Sequence, residues 1–171
     1  MRARTSAAQV DLIGHSEGGL TARRYVQITE GAPVHTLIAM GSPQQGTEAL
    51  DLTGNWLLDP LVKGFQGASV ALQQMAVGSL FLVELNEQND PTPGDVRYLA
   101  IGTEKDAITQ PVARSAIPGA EHIVVQTACP GRDIGHFGLL ADAWVHQVLI
   151  ATLSGSAPKG NCSARPIGGP L

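Results

Sequence analysis

Ser16 stands between Gly14 and Gly18 in the stretch Asp11–Leu20, DLIGHSEGGL. A serine hydroxyl is a weak nucleophile at neutral pH, so it needs a general base and a backbone that exposes its oxygen. A sharp strand-to-helix turn provides the exposure, and glycines two residues to either side remove Cβ atoms that would collide as strand and helix close up. At a helix start the free N–H groups and the helix dipole favour negative charge. The backbone N–H of Glu17 is therefore the expected oxyanion donor. The chemistry on offer is attack on an acyl carbonyl. The competing reading is a Gly-rich connection with an incidental serine.

The partners of such a serine follow it in the chain order acid, then histidine. Gly102-Thr103-Glu104-Lys105-Asp106-Ala107 offers two carboxylates after a strand-like run, with Asp106 preferred and Glu104 second; a solvated loop charge is the bland alternative for either. Five histidines compete for the base. His15 adjoins the nucleophile, and its side chain is expected to leave the turn in another direction. His35 and His122 begin strands, and His146 lies in a helical run. His136, in DIGHFG, sits between the last strand and the last helix, where a base can swing over the sheet edge. Asp133 is a rival acid, though too close in sequence to reach the far ring nitrogen easily. No HExxH or CxxC spacing occurs, so neither metal nor organic cofactor is expected.

The elements that must position these residues read as an alternation. Short strands are expected over Gln9–Ile13, Val34–Met40, Val96–Ile101 and His122–Thr127, with helices over Leu20–Glu30 and Leu139–Leu153. Strands this apolar, with little strict alternation, suit a parallel sheet covered on both faces, hence an α/β layer fold. Residues 44–94 carry an apolar cluster at Trp56, Leu57, Leu58, Leu61, Val62 and Phe65 and then QQMAVGSLFLVELN, one or two helices. They are either ordinary core helices or a cover and acyl-binding wall, with Trp56, Leu57, Leu61 and Phe65 as substrate contacts. Residues 154–171, rich in Gly, Pro and Ser, should be irregular.

At 171 residues and 43% hydrophobic content the chain supports one domain with a real core, residues 1–153. The net charge of -4 leaves no electrostatic footprint for nucleic acid. No window is long and apolar enough for a membrane span, and the N-terminus lacks the apolar core of a signal peptide. Two cysteines, Cys129 and Cys162, are either one disulfide of an exported protein or two free thiols.

Taken together, DLIGHSEGGL, Met40–Thr47, GSLFLVELN, GTEKDAITQP and ACPGRDIGHFGLL resemble the secreted bacterial lipases and esterases of the α/β-hydrolase fold, most of all the actinobacterial class 2 triacylglycerol lipases. The resemblance runs from about Ala8 to Leu153. It implies Ser16 as nucleophile, Asp106 as acid, His136 as base, a lipid-like ester substrate and secretion. It also places Cys129 in a segment that is disulfide-bonded in exported relatives. Glu17 stands where glutamine is common. Only about ten residues precede the nucleophile strand, so the resemblance implies a partial domain whose N-terminal strands and second oxyanion donor lie outside this chain, with localisation cytoplasmic if Met1 is the genuine start. The first strand would then form a sheet edge open to association. The alternatives to an ester hydrolase are an impaired remnant acting as an interaction module, and an acyltransferase using the same acyl-enzyme.

Overall fold

The computed structural model describes residues 5–48, 70–87 and 90–165. Four parallel strands, β1 (Val10–His15), β2 (Val34–Met40), β3 (Arg97–Gly102) and β4 (Glu121–Val124), lie in the order β1-β2-β3-β4. Parallel neighbours need crossovers. Helix α1 (Glu17–Ile28) joins β1 to β2, and the β2 to β3 connection carries the short helices α2 (Val70–Gln74) and α3 (Leu80–Asn86). After β4 come α4 (Val125–Ala128), a 3₁₀ turn (Phe137–Leu140) and α5 (Ala143–Leu153).

Strand side chains alternate between the two faces of the sheet, and both faces are buried. Ile38, Met40, Leu99 and Ile101 pack against Ile134, Leu139 and the α5 residues Trp144, Val145 and Val148. Leu37, Ala39, Tyr98 and Ala100 pack on the opposite side with Val26 of α1 and Ile117. A third cluster joins Leu20 of α1 to Met75, Leu82 and Leu85, so α3 docks on the helix that follows Ser16. The sheet is thus an α/β sandwich of the expected class.

Helix ends are set locally. The Asp142 carboxylate accepts from the Trp144 and Val145 amides and starts α5, and Ser79 Oγ accepts from Leu82 N at the start of α3. Several boundaries differ from the sequence expectation, among them the end of β1, which runs on to His15, and the start of α1, at Glu17 rather than Leu20. The fourth strand stops at Val124 and the chain turns into α4, despite the β-branched Val124-Val125 pair, because Val125 must turn into the core beside Cys129 and Ile134. The last helix begins at Ala143, with Phe137–Leu140 as a separate 3₁₀ turn.

Among the described residues β1 pairs only with β2 and so forms a sheet edge, with Ile13 47% exposed. No helix among them is long and apolar enough to cross a membrane. Residues 154–165 carry turns but no helix or strand, and Cys162 is disulfide-bonded to Cys129.

Candidate active site

In a parallel sheet all strands deliver their C-terminal ends to one edge, where α/β proteins place their sites. Ser16 follows β1, Gly41 follows β2, the Thr103–Asp106 loop follows β3, and the segment to His136 follows β4 and α4.

Ser16 occupies φ 55 and ψ -127, a region that residues with a Cβ rarely adopt. It stands at the N-cap of α1, yet its side chain makes no capping hydrogen bond. The hydroxyl therefore stays available for chemistry. Glu17 is the first residue of α1, and the first N–H groups of a helix have no intrahelical acceptor. Its side chain is exposed.

Tight closure of the turn falls on one expected glycine and one that was not expected. A Cβ on Gly14 would come within 2.5 Å of the Gly18 and Gly19 backbone, as anticipated. One on Gly18 would meet nothing within 4 Å. Gly19 is the second tight position, since its Cβ would overlap the Ser42 side chain.

The buried Asp106 carboxylate faces the buried His136 ring, with Oδ1 and Oδ2 at 3.0 and 2.9 Å from Nδ1. A carboxylate only accepts, so Nδ1 carries the proton it donates and Nε2 is the nitrogen left to exchange one. Asp106 Oδ1 also accepts from the Ile108 and Thr109 amides, each at 2.8 Å. Burial alone would raise the Asp106 pKa, but the His136 hydrogen bond and the two amides outweigh it and hold the carboxyl below its ordinary value. Glu104 and Asp133 are both exposed.

The loop leading to His136 is tied at several points. Thr103 Oγ1 donates to Ile134 O at 2.6 Å, and Gln126 Nε2 donates to Arg132 O at 2.9 Å. Arg132 forms a buried bidentate pair with Asp142 and also donates to the carbonyls of Cys162 and Ala164. Gly41, at φ +53, fits beside this pair; a Cβ there would stand 3.2 Å from Asp106 Oδ2 and 3.3 Å from His136 Nδ1.

His15 departs from expectation. Its ring does not leave the turn but packs on His136, with centroids 4.5 Å apart, and its Nε2 lies 2.9 Å from the His136 carbonyl oxygen. Sequence reading missed this because the side-chain direction depends on the turn itself; adjacency to Ser16 was the only signal. The other histidines lie apart from this cluster. His35 pairs with Asp11, and His146 donates to Leu140 O. His122 lies 2.9 Å from Ser115 Oγ, but that hydroxyl already donates to Val112 O. It must accept from His122 Nε2, so this bond fixes the ring's donor nitrogen and ties it to Ser115, away from Ser16.

The buried polar group Arg23 was also missed. It sits in α1 and donates to Asn86 Oδ1, Gln44 Oε1 and Leu85 O, linking α1 to the loop after β2 and to α3. Burial lowers its pKa to about 10. An apolar cavity of about 310 Å³ lies against the same helix, lined by Glu17, Leu20, Tyr25, Met75 and Phe81 among others, without Ser16 or His136 on its wall. The expected substrate contacts Trp56, Leu57, Leu61 and Phe65 lie outside the described residues.

Similar proteins sharpen the picture. A family model described as palmitoyl protein thioesterase matches residues 1–91. Triacylglycerol lipases of Pseudarthrobacter phenanthrenivorans and Burkholderia plantarii are each 35% identical over 89 residues, 52% of this chain. Those alignments cover 27% and 24% of the relatives, so the match spans about a quarter of their length. The crystal structure of Aspergillus fumigatus lipase B superposes on 96% of this chain and 42% of its own, with a TM-score of 0.69 at 21% identity. It shares the fold.

Proposed function

The chain belongs to the palmitoyl protein thioesterase family, and on that premise we propose that it is a serine carboxylic-ester hydrolase of the lipase/esterase type. Ser16 is the nucleophile, His136 the base and Asp106 the acid that orients it. The observation that carries this reading is the buried Asp106–His136 pair, with the His136 ring 4.5 Å from the ring of the residue preceding Ser16.

In this reading Ser16 Oγ attacks the acyl carbonyl as its proton passes to His136 Nε2, and Asp106 stabilises the resulting imidazolium. The oxyanion that forms accepts a hydrogen bond from the Glu17 N–H. Collapse breaks the bond to the leaving alcohol, which takes the proton from His136. A water, deprotonated by the same ring, then attacks the acyl-enzyme, and the ring returns that proton to Ser16 Oγ as the carboxylic acid leaves. An alcohol in place of water makes the same chain an acyltransferase. The lipase names of the relatives and the apolar surface beside Glu17 support a lipid-like acyl group, and the family model extends the donor to thioesters. The Cys129–Cys162 disulfide supports work in an oxidising compartment, in keeping with secretion.

A fluorophosphonate probe tests the reading. Labelling of the chain that is lost in Ser16→Ala and His136→Ala supports it; a folded chain that labels equally in Ser16→Ala overturns it. The β1 edge, which pairs only with β2 among the described residues, favours a second reading, an interaction module that takes up a further strand. A folded, self-associating chain with no labelling would favour that one.

A further inference from the structure

We propose that His15 is a positioning residue for the His136 base, holding that residue by its backbone through a hydrogen bond from the His15 ring; this rests on the serine-hydrolase reading of Ser16, Asp106 and His136. The bond joins His15 Nε2 to His136 O at 2.9 Å across 121 residues of sequence. A carbonyl only accepts, so Nε2 carries the proton and the direction of the bond is fixed.

The placement is specific to the reacting groups. A general base works only within hydrogen-bond reach of the proton it takes. Asp106 holds the His136 ring at Nδ1, which sets its tautomer and rotation. It does not tie the base to the nucleophile strand. The other ties described for this loop end at Ile134 and Arg132 and come from the β3 and α4 side, from Asp142 and from the tail, not from β1. His15 is the residue before Ser16, so its bond couples nucleophile and base across the crevice. Ser16 and His136 then move as one frame.

The surroundings suit a neutral ring. His15 is faced by His136, Asp106 and Phe137. Burial is the largest influence on its pKa and lowers it; the hydrogen bond to the His136 backbone and the Asp106 carboxylate act the other way, and the His136 ring acts with burial. A charged His15 would oppose the imidazolium that His136 becomes. A neutral one keeps the hydrogen bond without that repulsion.

The test is steady-state hydrolysis of a p-nitrophenyl ester by the full chain and by His15→Gln, His15→Asn and His15→Leu. The glutamine amide nitrogen reaches about as far as Nε2, whereas asparagine falls one methylene short and leucine has no donor. Misplacement on this scale costs roughly 10-fold or more in rate. The expected result is that kcat falls at least about 10-fold in His15→Leu and His15→Asn with KM little changed, and is largely rescued in His15→Gln. Unchanged kcat in the asparagine variant, or an equal loss in all folded variants, overturns the role of His15. Turnover that survives Ser16→Ala overturns the site reading instead, so the two failures are distinguishable.

Discussion

Gly14 faces Gly18 across the nucleophile turn so closely that a Cβ on Gly14 would stand 2.5 Å from the Gly18 carbonyl carbon and oxygen. Both clashing atoms are backbone, so relief requires the strand and helix to separate. Gly14→Ala will therefore destabilise the fold by about 3 kcal/mol or more. Gly18→Ala fills empty space in the first turn of a helix and should be neutral or stabilising by up to about 1 kcal/mol. Urea unfolding of the two variants checks the contrast. Equal losses would mean the turn is not closed as described.

Much of this geometry was readable from residue order. The strand Val34–Met40 runs as expected, since a run of apolar and β-branched residues ended by Gly41 leaves few alternatives. Burial separates Asp106 from Glu104, two carboxylates that residue order alone places together in the loop after β3. The direction of the His15 ring, the role of Gly19 and the burial of Arg23 were not readable. Each depends on how two distant segments meet: β1 with the His136 loop, α1 with Ser42, and α1 with α3. Local pattern carries no signal for such meetings.

Ser16 holds a positive φ without being glycine. Residues in such regions cost of order 1–3 kcal/mol. Ser16→Gly removes the Cβ that makes the conformation unfavourable, so its melting temperature should rise while ester turnover disappears. Calorimetry and a p-nitrophenyl ester assay on the same preparation test both halves. A variant that loses stability would show that the hydroxyl or Cβ contributes contacts that outweigh the strain.

The Asp106 carboxyl lies below its ordinary value of 3.8. A depressed carboxyl stabilises the fold fully above that unfolded value and ceases to do so as pH falls through the lower folded value. Asp106→Asn cannot make this contribution. The stability gap between the two proteins, measured by urea unfolding at pH 7, 5 and 3, should shrink toward the acid end. At pH 7 the same variant should lose roughly 10⁴-fold in kcat, as expected when the base is held in the wrong tautomer.

Arg132 and Asp142 are 2% and 0% exposed at the side chain, and Asp142 also caps α5. Removing one partner of a buried pair leaves the other charged and unmatched, at about 3–5 kcal/mol. Loss of the Cys129–Cys162 bond, which closes a separation of 33 residues, should cost about 3–4 kcal/mol in the chain-entropy model. Both connect to the tail, because Arg132 donates to the Cys162 and Ala164 carbonyls. The losses in Asp142→Ala and Cys162→Ser should therefore be less than additive when combined. Strict additivity in a double-mutant cycle would show that the tail and the ion pair act independently.

Burial lowers the pKa of both His15 and His122 from 6.5. A histidine whose folded value is depressed binds its proton more readily when unfolded, so stability rises with pH across the gap between the two values. The contribution is complete above about 6.5 and is lost as pH falls below it toward the folded values. The urea midpoint should drop on going from pH 7 to pH 5. His122→Gln retains an N–H toward Ser115 Oγ but cannot titrate in this range, and should flatten part of that limb. A wild-type midpoint constant from pH 7 to pH 5 would mean that neither ring resists protonation as its burial implies.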